Sequence, residues 1–295
     1  MTHSIDRRTL ILASLPALLG FTGCAAAKKS ADASTELAAI QARIGGRLGV
    51  HALDTHTQRQ IEFNADERFA MCSTFKLALA AAVLARVDAK TQQLDEVVRF
   101  GPSDMVPHAP VTSRHLAAGA INVRELCEAI VTVSDNPAAN LLLPLVGGPA
   151  GLTRFMRGLG DPASRLDRHE TELNSNLPGD LRDTTTPRAM TQTLRAVLTT
   201  DALSPASREQ LIAWLVAAKT GLNRIRGGLP AAWKAGDKTG TGSNGAVNDI
   251  AIAWPPGRAP ILVCVYMSGS TLPDNVLAQA HADIGRCIAG AMIHG

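Results

Sequence analysis

The stretch from Phe69 to Leu84, FAMCSTFKLALAAAVL, constrains this chain more than any other. From Leu77 to Leu84 it has no polar side chain, and a helix that is apolar all round belongs in a protein interior. Its head is the exception, because Ser73 and Lys76 stand three apart there. Residues i and i+3 share a helix face, so the hydroxyl and the amine should point into one space. Burial lowers the pKa of an amine, and a neutral amine can accept a hydroxyl proton. The same helix N-terminus offers backbone N–H groups and the positive dipole end to a developing oxyanion. A Ser-x-x-Lys spacing is weak alone, and its weight depends on its companions.

With 295 residues the chain can bury a large core, as one two-lobed unit or two domains. A hydrophobic share of 46% and a net charge of +3 argue against disorder and against a nucleic-acid footprint. Aromatic residues at 3% leave no stacking platform for single strands, so a small-molecule function is expected. The eight histidines form no H-x-H-x-D or H-E-x-x-H pattern, and neither a metal nor another cofactor is expected.

Arg7-Arg8 precedes an apolar run from Leu10 to Leu19 that is too short to span a membrane permanently. This reads as an export signal over residues 1–24, of the twin-arginine type. Thr22-Gly23-Cys24 resembles a lipobox and makes Cys24 a lipidation candidate, whereas Ala25-Ala26-Ala27 reads as an ordinary cleavage site. Either way a periplasmic protein is expected, attached to the membrane only if Cys24 is lipidated. Of the other cysteines, Cys72, Cys127, Cys264 and Cys287, three sit in apolar helical or strand contexts. Free cysteine behaves there as a small hydrophobe, so no disulfide is expected.

The pattern predicts a helix over 30–44 stopped by Gly45-Gly46, then a hairpin of strands 47–53 and 60–63. Residues 89–110, broken by glycine and prolines, read as mostly loop. Asn122, with Glu125 three residues on, should cap a helix that delivers Ser134-Asp135-Asn136 at its end. Further helices are expected over 137–145 and 151–159, then a long polar run over 160–183, then helices over 187–198 and 204–218. Strands over 233–241, 246–254 and 261–268 and a closing helix over 275–293 complete the chain. Strands at both ends should share one antiparallel sheet, giving an α+β fold. Residues 30–66 and 216–295 would form a five-stranded sheet flanked by helices. Residues 67–215 would be an inserted all-α lobe carrying the loop 168–183, and the cleft between the lobes is the default site.

Four local signals coincide: Ser73-Thr-Phe-Lys76, Ser134-Asp135-Asn136, Glu170-Thr-Glu-Leu-Asn174 and Lys238-Thr239-Gly240. Each has a plainer explanation. Ser134-Asp135-Asn136 could be a turn before Pro137, and Glu170 and Glu172 could be solvated loop charges. Lys-Thr-Gly occurs twice; Lys219-Thr220-Gly221 follows a helical run and reads as its C-terminal cap. Taken together, the four resemble the class A serine β-lactamases, in particular the chromosomal broad-spectrum members. The resemblance extends through Arg165-Leu-Asp-Arg168 and Asp180-Leu-Arg-Asp183-Thr-Thr-Thr-Pro187 to nearly the whole mature chain.

The resemblance implies β-lactam hydrolysis by a monomer that needs no cofactor. It makes Ser73 the nucleophile, with Lys76 and Glu170 competing to activate it and Glu170 and Asn174 holding the deacylating water. Ser134 would relay a proton to the lactam nitrogen, and Asn136 would hold the substrate's amide side chain. Lys238, Thr239, Gly240, Thr241 and Arg224 would face its carboxylate and carbonyl, with backbone N–H groups of Ser73 and Thr241 as the oxyanion hole. Arg168 and Asp183 would pair at the loop's base, and the Glu170–Thr171 bond would be cis. His108 stands where many relatives have an aromatic residue at the cleft mouth. Ala80 stands where some have a cysteine facing the equivalent of Cys127. Gly242 stands where a carbapenem-hydrolysing group has a cysteine, so strong carbapenem hydrolysis is not expected. A penicillin-binding peptidase shares three of the four signals but lacks Glu170 and Asn174, and a β-lactam sensor would need a transmembrane segment and a signalling partner, neither of which is expected here.

Overall fold

The computed structural model describes residues 21–293, with side chains from residue 32. The twin arginines, the apolar run and the Cys24 side chain lie outside the described residues. The chain opens with α1 (Phe21–Ile44) and the hairpin β1 (Arg47–Asp54) and β2 (Gln60–Phe63). The two-residue strand β3 (Phe69–Ala70) leads through a 3₁₀ turn, Cys72–Thr74, into α2 (Phe75–Asp88). Then come β4 (Val97–Arg99), α3 (Thr112–His115), β5 (Ala120–Asn122), α4 (Val123–Thr132), α5 (Asn136–Leu142) and α6 (Gly148–Gly158). After the polar run follow β6 (Thr184–Thr185), α7 (Pro187–Thr199), α8 (Pro205–Val216) and α9 (Ile225–Gly228). Strands β7 (Lys234–Thr241), β8 (Val247–Trp254) and β9 (Ile261–Ser268) and the helix α10 (Asp274–Ile293) close the chain.

The five long strands form one antiparallel sheet in the order β2-β1-β9-β8-β7, so the two ends of the chain do meet in one sheet. Successive side chains of a strand point to opposite faces. On β9, Val263, Val265 and Met267 pack with Leu37, Ile40 and Ile44 of α1 and Leu277 and Ile284 of α10. Leu262, Cys264 and Tyr266 turn the other way, into the core built on α2, α4 and α7. Both faces are covered, which is why these strands read as near-continuous apolar runs.

All residues from Phe75 to Leu84 on α2 are buried, as an all-round apolar helix requires. Burying one such leucine stabilises by about 1.5–3 kcal/mol, and Leu79→Ala would cost about 2–5 kcal/mol. Asn122 caps α4 as expected, its Oδ1 accepting from the Glu125 N–H at 2.8 Å.

Several details depart from the sequence expectation. The helical segment 67–215 also carries two short strand pairs, β3 with β6 and β4 with β5. Helix α6 begins at Gly148, with Pro149 in its first turn, rather than at residue 151. Helix α8 stops at Val216, where the Ala217 N–H bonds the Ala213 carbonyl, so Gly221 is not its cap. Glycine is needed at 221 for another reason: a Cβ there would stand 1.4 Å from Asp237 Oδ2. Cys72, Cys127, Cys264 and Cys287 are buried free thiols, and burial pushes Cys72 and Cys264 up to about 12.

Candidate active site

Ser73 lies in the 3₁₀ turn that opens onto α2, one residue after Cys72, whose φ is 44°. A non-glycine residue in the left-handed region is strained and persists only where packing dictates it. The packing here is tight. Cys72 is fully buried against Ala70 and Ala246, and the Met71 N–H donates to the Asp183 carbonyl at 2.8 Å. Across the turn runs β7, where a Cβ on Gly240 would meet the Met71 carbonyl at 2.8 Å. Only glycine lets the strand edge approach the Ser73 turn this closely.

Lys76 Nζ is 3.0 Å from Ser73 Oγ and 2.9 Å from Glu170 Oε1, and Ser73 Oγ donates to the same Oε1 at 3.2 Å. These three groups form a closed triangle, with the Lys76 and Glu170 side chains fully buried. Lys76 also donates to the Ser134 carbonyl at 2.9 Å and to Asn136 Oδ1. Five acceptors, Ser134 Oγ at 3.4 Å included, surround an amine that carries at most three hydrogens, so the lysine is held as a donor while Ser73 Oγ donates to Glu170. Burial pushes the Lys76 pKa below the ordinary lysine value, and the Glu170 carboxylate partly offsets this.

Ser134, at the end of the α4 segment, takes φ 63°. This conformation puts its hydroxyl between two lysines, 3.0 Å from Lys238 Nζ and 3.4 Å from Lys76 Nζ. Lys238 is buried on β7 and also donates to the Thr239 carbonyl at 2.8 Å. Burial drives its pKa well down, and the nearby Lys76 charge drives it further. Asp135 is structural. It accepts from the Ala138 N–H as N-cap of α5 and from the Val111 and Thr112 N–H groups, each at 2.9 Å.

The loop 168–183 brings Glu170 over Ser73. Arg168 Nε meets Asp183 Oδ2 at 2.6 Å, and Asp183 Oδ1 accepts from the Asp167 and Arg168 N–H groups. The pair is largely buried. The Glu170–Thr171 bond is cis. Asn174 Nδ2 donates to Glu170 Oε2 at 2.5 Å, while Glu172 is exposed.

The remaining sequence-chosen residues line one cleft of about 350 Å³ with Ser73: Asn136, Asn174, Thr239, Gly240, Thr241, Arg224 and His108. Arg224 bonds the Gly240 and Asn248 carbonyls at 3.1 and 2.6 Å and Thr241 Oγ1 at 2.8 Å. Its donors tie β7 to β8 and orient the Thr241 hydroxyl. His108 Nε2 donates to the Val133 carbonyl at 2.9 Å, holding the ring at the rim. Among the described residues no three or more His, Cys, Asp or Glu side chains cluster so as to hold a metal ion.

Two residues escaped the sequence reading. Asn140 bonds both backbone polar groups of Glu170, and its signal was there: a lone amide inside the apolar run of α5. Thr220, read as part of a structural turn, lines the cleft and accepts from Thr239 Oγ1 at 2.7 Å. Nothing local marks it, because α8 ends before it and only the fold brings it beside β7.

Residues 32–292 match the Beta-lactamase enzyme family. The chain is 49% identical to the β-lactamase AST-1 of Nocardia asteroides over 251 residues, 84% of this chain and 81% of that protein. It is 46% identical to the carbapenem-hydrolysing β-lactamase KPC of Klebsiella oxytoca, over 92% of each. Among solved structures, an ancestral class A β-lactamase superposes with a TM-score of 0.86 at 56% identity, covering 88% of this chain and 100% of that one. The putative class A β-lactamase PenP of Rhodopseudomonas palustris gives 0.87 at 54%, with the same coverage. The chain belongs to the β-lactamase enzyme family and, within it, to the class A serine β-lactamases.

Proposed function

We propose that this enzyme opens the β-lactam ring of penicillins and cephalosporins through an ester on Ser73 and then hydrolyses that ester, giving resistance to the antibiotic. The observation that carries the residue roles is the buried triangle of Ser73, Lys76 and Glu170. In acylation Ser73 Oγ gives its proton to Glu170 and attacks the lactam carbonyl carbon. The carbonyl oxygen takes the negative charge and is held by the Ser73 and Thr241 backbone N–H groups. The C–N bond then breaks, and the nitrogen takes a proton from Ser134; Lys76 replaces that proton and in turn takes the one Glu170 received from Ser73, which restores the carboxylate. Lys238, Thr239 and Thr241 face the substrate carboxylate, and Asn136 faces its amide side chain. In deacylation Glu170, with Asn174 beside it, takes a proton from water as the oxygen attacks the ester, and Ser73 leaves with a proton. General-base help of this kind is worth roughly 10²–10⁴-fold.

Steady-state turnover of a chromogenic cephalosporin by the purified enzyme tests this reading. Many turnovers per chain are expected, none with Ser73→Ala, and one drug bound per chain without turnover would mark a penicillin-binding trap instead. Carbapenems should be hydrolysed slowly. Gly242 leaves no bridge to Cys72, and a Cβ there would already press on the Asn174 carbonyl at 2.6 Å. The relative KPC is described as carbapenem-hydrolysing, so imipenem turnover decides the point.

Class A β-lactamases are typically exported. For this chain we propose twin-arginine export to the periplasm, lipid attachment at Cys24 and a monomeric folded body. The intact mass of the mature protein tests the attachment, since an unmodified N-terminus at Lys28 rules the anchor out.

A further inference from the structure

A second cavity, of about 540 Å³, lies between the β1–β2 hairpin, α7 and the start of the polar run. It shares no lining residue with the cleft around Ser73. Its walls combine apolar surface from Leu53, Pro162, Ala163 and Ala189 with three guanidinium groups, those of Arg68, Arg188 and Arg195.

The three arginines are not equivalent. Arg188 is spent, since it forks onto Glu62 at 2.6 and 2.8 Å and onto Asp66 at 2.8 and 3.1 Å. Its hydrogen bonds hold both carboxyls below their usual range. Among the described residues Arg68 reaches only neutral acceptors, the Ala163 carbonyl at 3.0 Å and Thr184 Oγ1 at 3.1 Å, both through Nη1. The Arg195 guanidinium has no hydrogen-bond or ion-pair partner among the described residues, although it is half-buried. His51 also lines the cavity, and burial lowers its pKa, which disfavours a positive charge there. The five charges sum to +1, and the two carboxylates are committed to Arg188, so the unmatched positive charge sits on Arg68 and Arg195.

A half-buried cation without a counter-ion, beside apolar walls, is suited to an anion that carries an apolar body. We propose that this cavity is a binding site for small organic anions, with the anionic head on Arg195 and Arg68 and the apolar body against Leu53, Ala163 and Ala189. Gln192 and Gln60 line the same cavity and supply further polar contacts.

The test uses 1-anilinonaphthalene-8-sulfonate, an aromatic sulfonate whose fluorescence rises on leaving water, titrated into the whole enzyme at constant ionic strength. A saturable one-to-one signal is expected. Arg195→Gln should weaken it by about tenfold or more, the loss of one charge-assisted hydrogen bond. Arg68→Gln should weaken it similarly, and Arg195→Lys should retain most of it. Cephalosporin turnover by the Arg195 variants without the probe should match the parent, which confirms that they are folded. A signal that does not saturate, or that is equally strong in Arg195→Gln and Arg68→Gln, overturns the proposal.

Discussion

Asn140 grips Glu170 by both of its backbone polar groups: Asn140 Oδ1 accepts from the Glu170 N–H and Asn140 Nδ2 donates to the Glu170 carbonyl, each at 2.9 Å. One side chain on α5 thus sets where the loop 168–183 presents its carboxylate. Asn140→Ala would orphan a backbone donor and a backbone acceptor, a cost of about 1–3 kcal/mol for each group left buried. The expected outcome is a lower melting temperature and a fall in kcat larger than the change in acylation rate, read by stopped-flow with a chromogenic cephalosporin. Acylation and deacylation falling equally would separate Asn140 from the deacylation step.

In the proposed mechanism Glu170 is the residue that separates a hydrolase from a drug trap. Glu170→Gln keeps the shape and removes the base, so deacylation should fall by roughly 10²–10⁴-fold and further than acylation. Mass spectrometry after brief penicillin exposure should find one drug mass added per chain, located on Ser73. Turnover near the parent rate with no adduct would sink the assignment.

Asp183 joins the loop base to the nucleophile. Its carboxylate is buried on Arg168, and its carbonyl accepts from the Met71 N–H, two residues before Ser73. Asp183→Ala strands two N–H donors and leaves the Arg168 guanidinium only Ser175 Oγ at 3.1 Å and the more distant Asp180 carboxylate at 3.8 Å, and breaking such a buried pair costs about 3–5 kcal/mol. Hydrogen exchange over residues 168–183 should rise strongly, with a smaller effect for Asp183→Asn. Asparagine tolerates the φ of 59° at this position and still accepts hydrogen bonds. Unchanged exchange in Asp183→Ala would remove this pair as the loop's anchor.

The buried His281 of α10 donates from Nδ1 to the Leu277 carbonyl at 2.8 Å, and its Nε2 has no partner among the described residues. Burial, reinforced by Arg224, lowers its pKa to about 3 from an ordinary 6.5. Between those values the unfolded chain binds a proton that the folded chain refuses. Its contribution to stability is therefore complete above about pH 6.5 and is lost as pH falls toward about 3. The slope is at most about 1.4 kcal/mol per pH unit. Urea midpoints across this window should fall less steeply in His281→Asn than in the parent; parallel curves would discount the residue.

Prolonged chelation should leave turnover unchanged, because in the proposed mechanism every group in the Ser73 triangle acts by proton transfer or hydrogen bonding. Activity lost to EDTA and restored by Zn²⁺ would overturn the serine mechanism.

The sequence by itself determined the elements whose residues carry their own reason for being there. The all-round apolar run 77–84 dictated a buried helix, and β1 and β7–β9 read as strands. Asn122 and Glu125 marked a helix start, and four short motifs named Ser73, Lys76, Ser134, Glu170 and Lys238. Only the tertiary structure decided what depends on segments distant in the chain. Ser73 and Glu170 are 97 residues apart, and no local pattern reports their 3.2 Å contact. Strands β3 and β6 span two residues each, too few to show a period, yet they hold the loop base against the nucleophile turn. Asn140 and Thr220 gained their places from the partners the fold brings to them, Glu170 and Thr239. A hydrogen bond is a relation between two positions, and a lone polar residue in sequence carries only one of them.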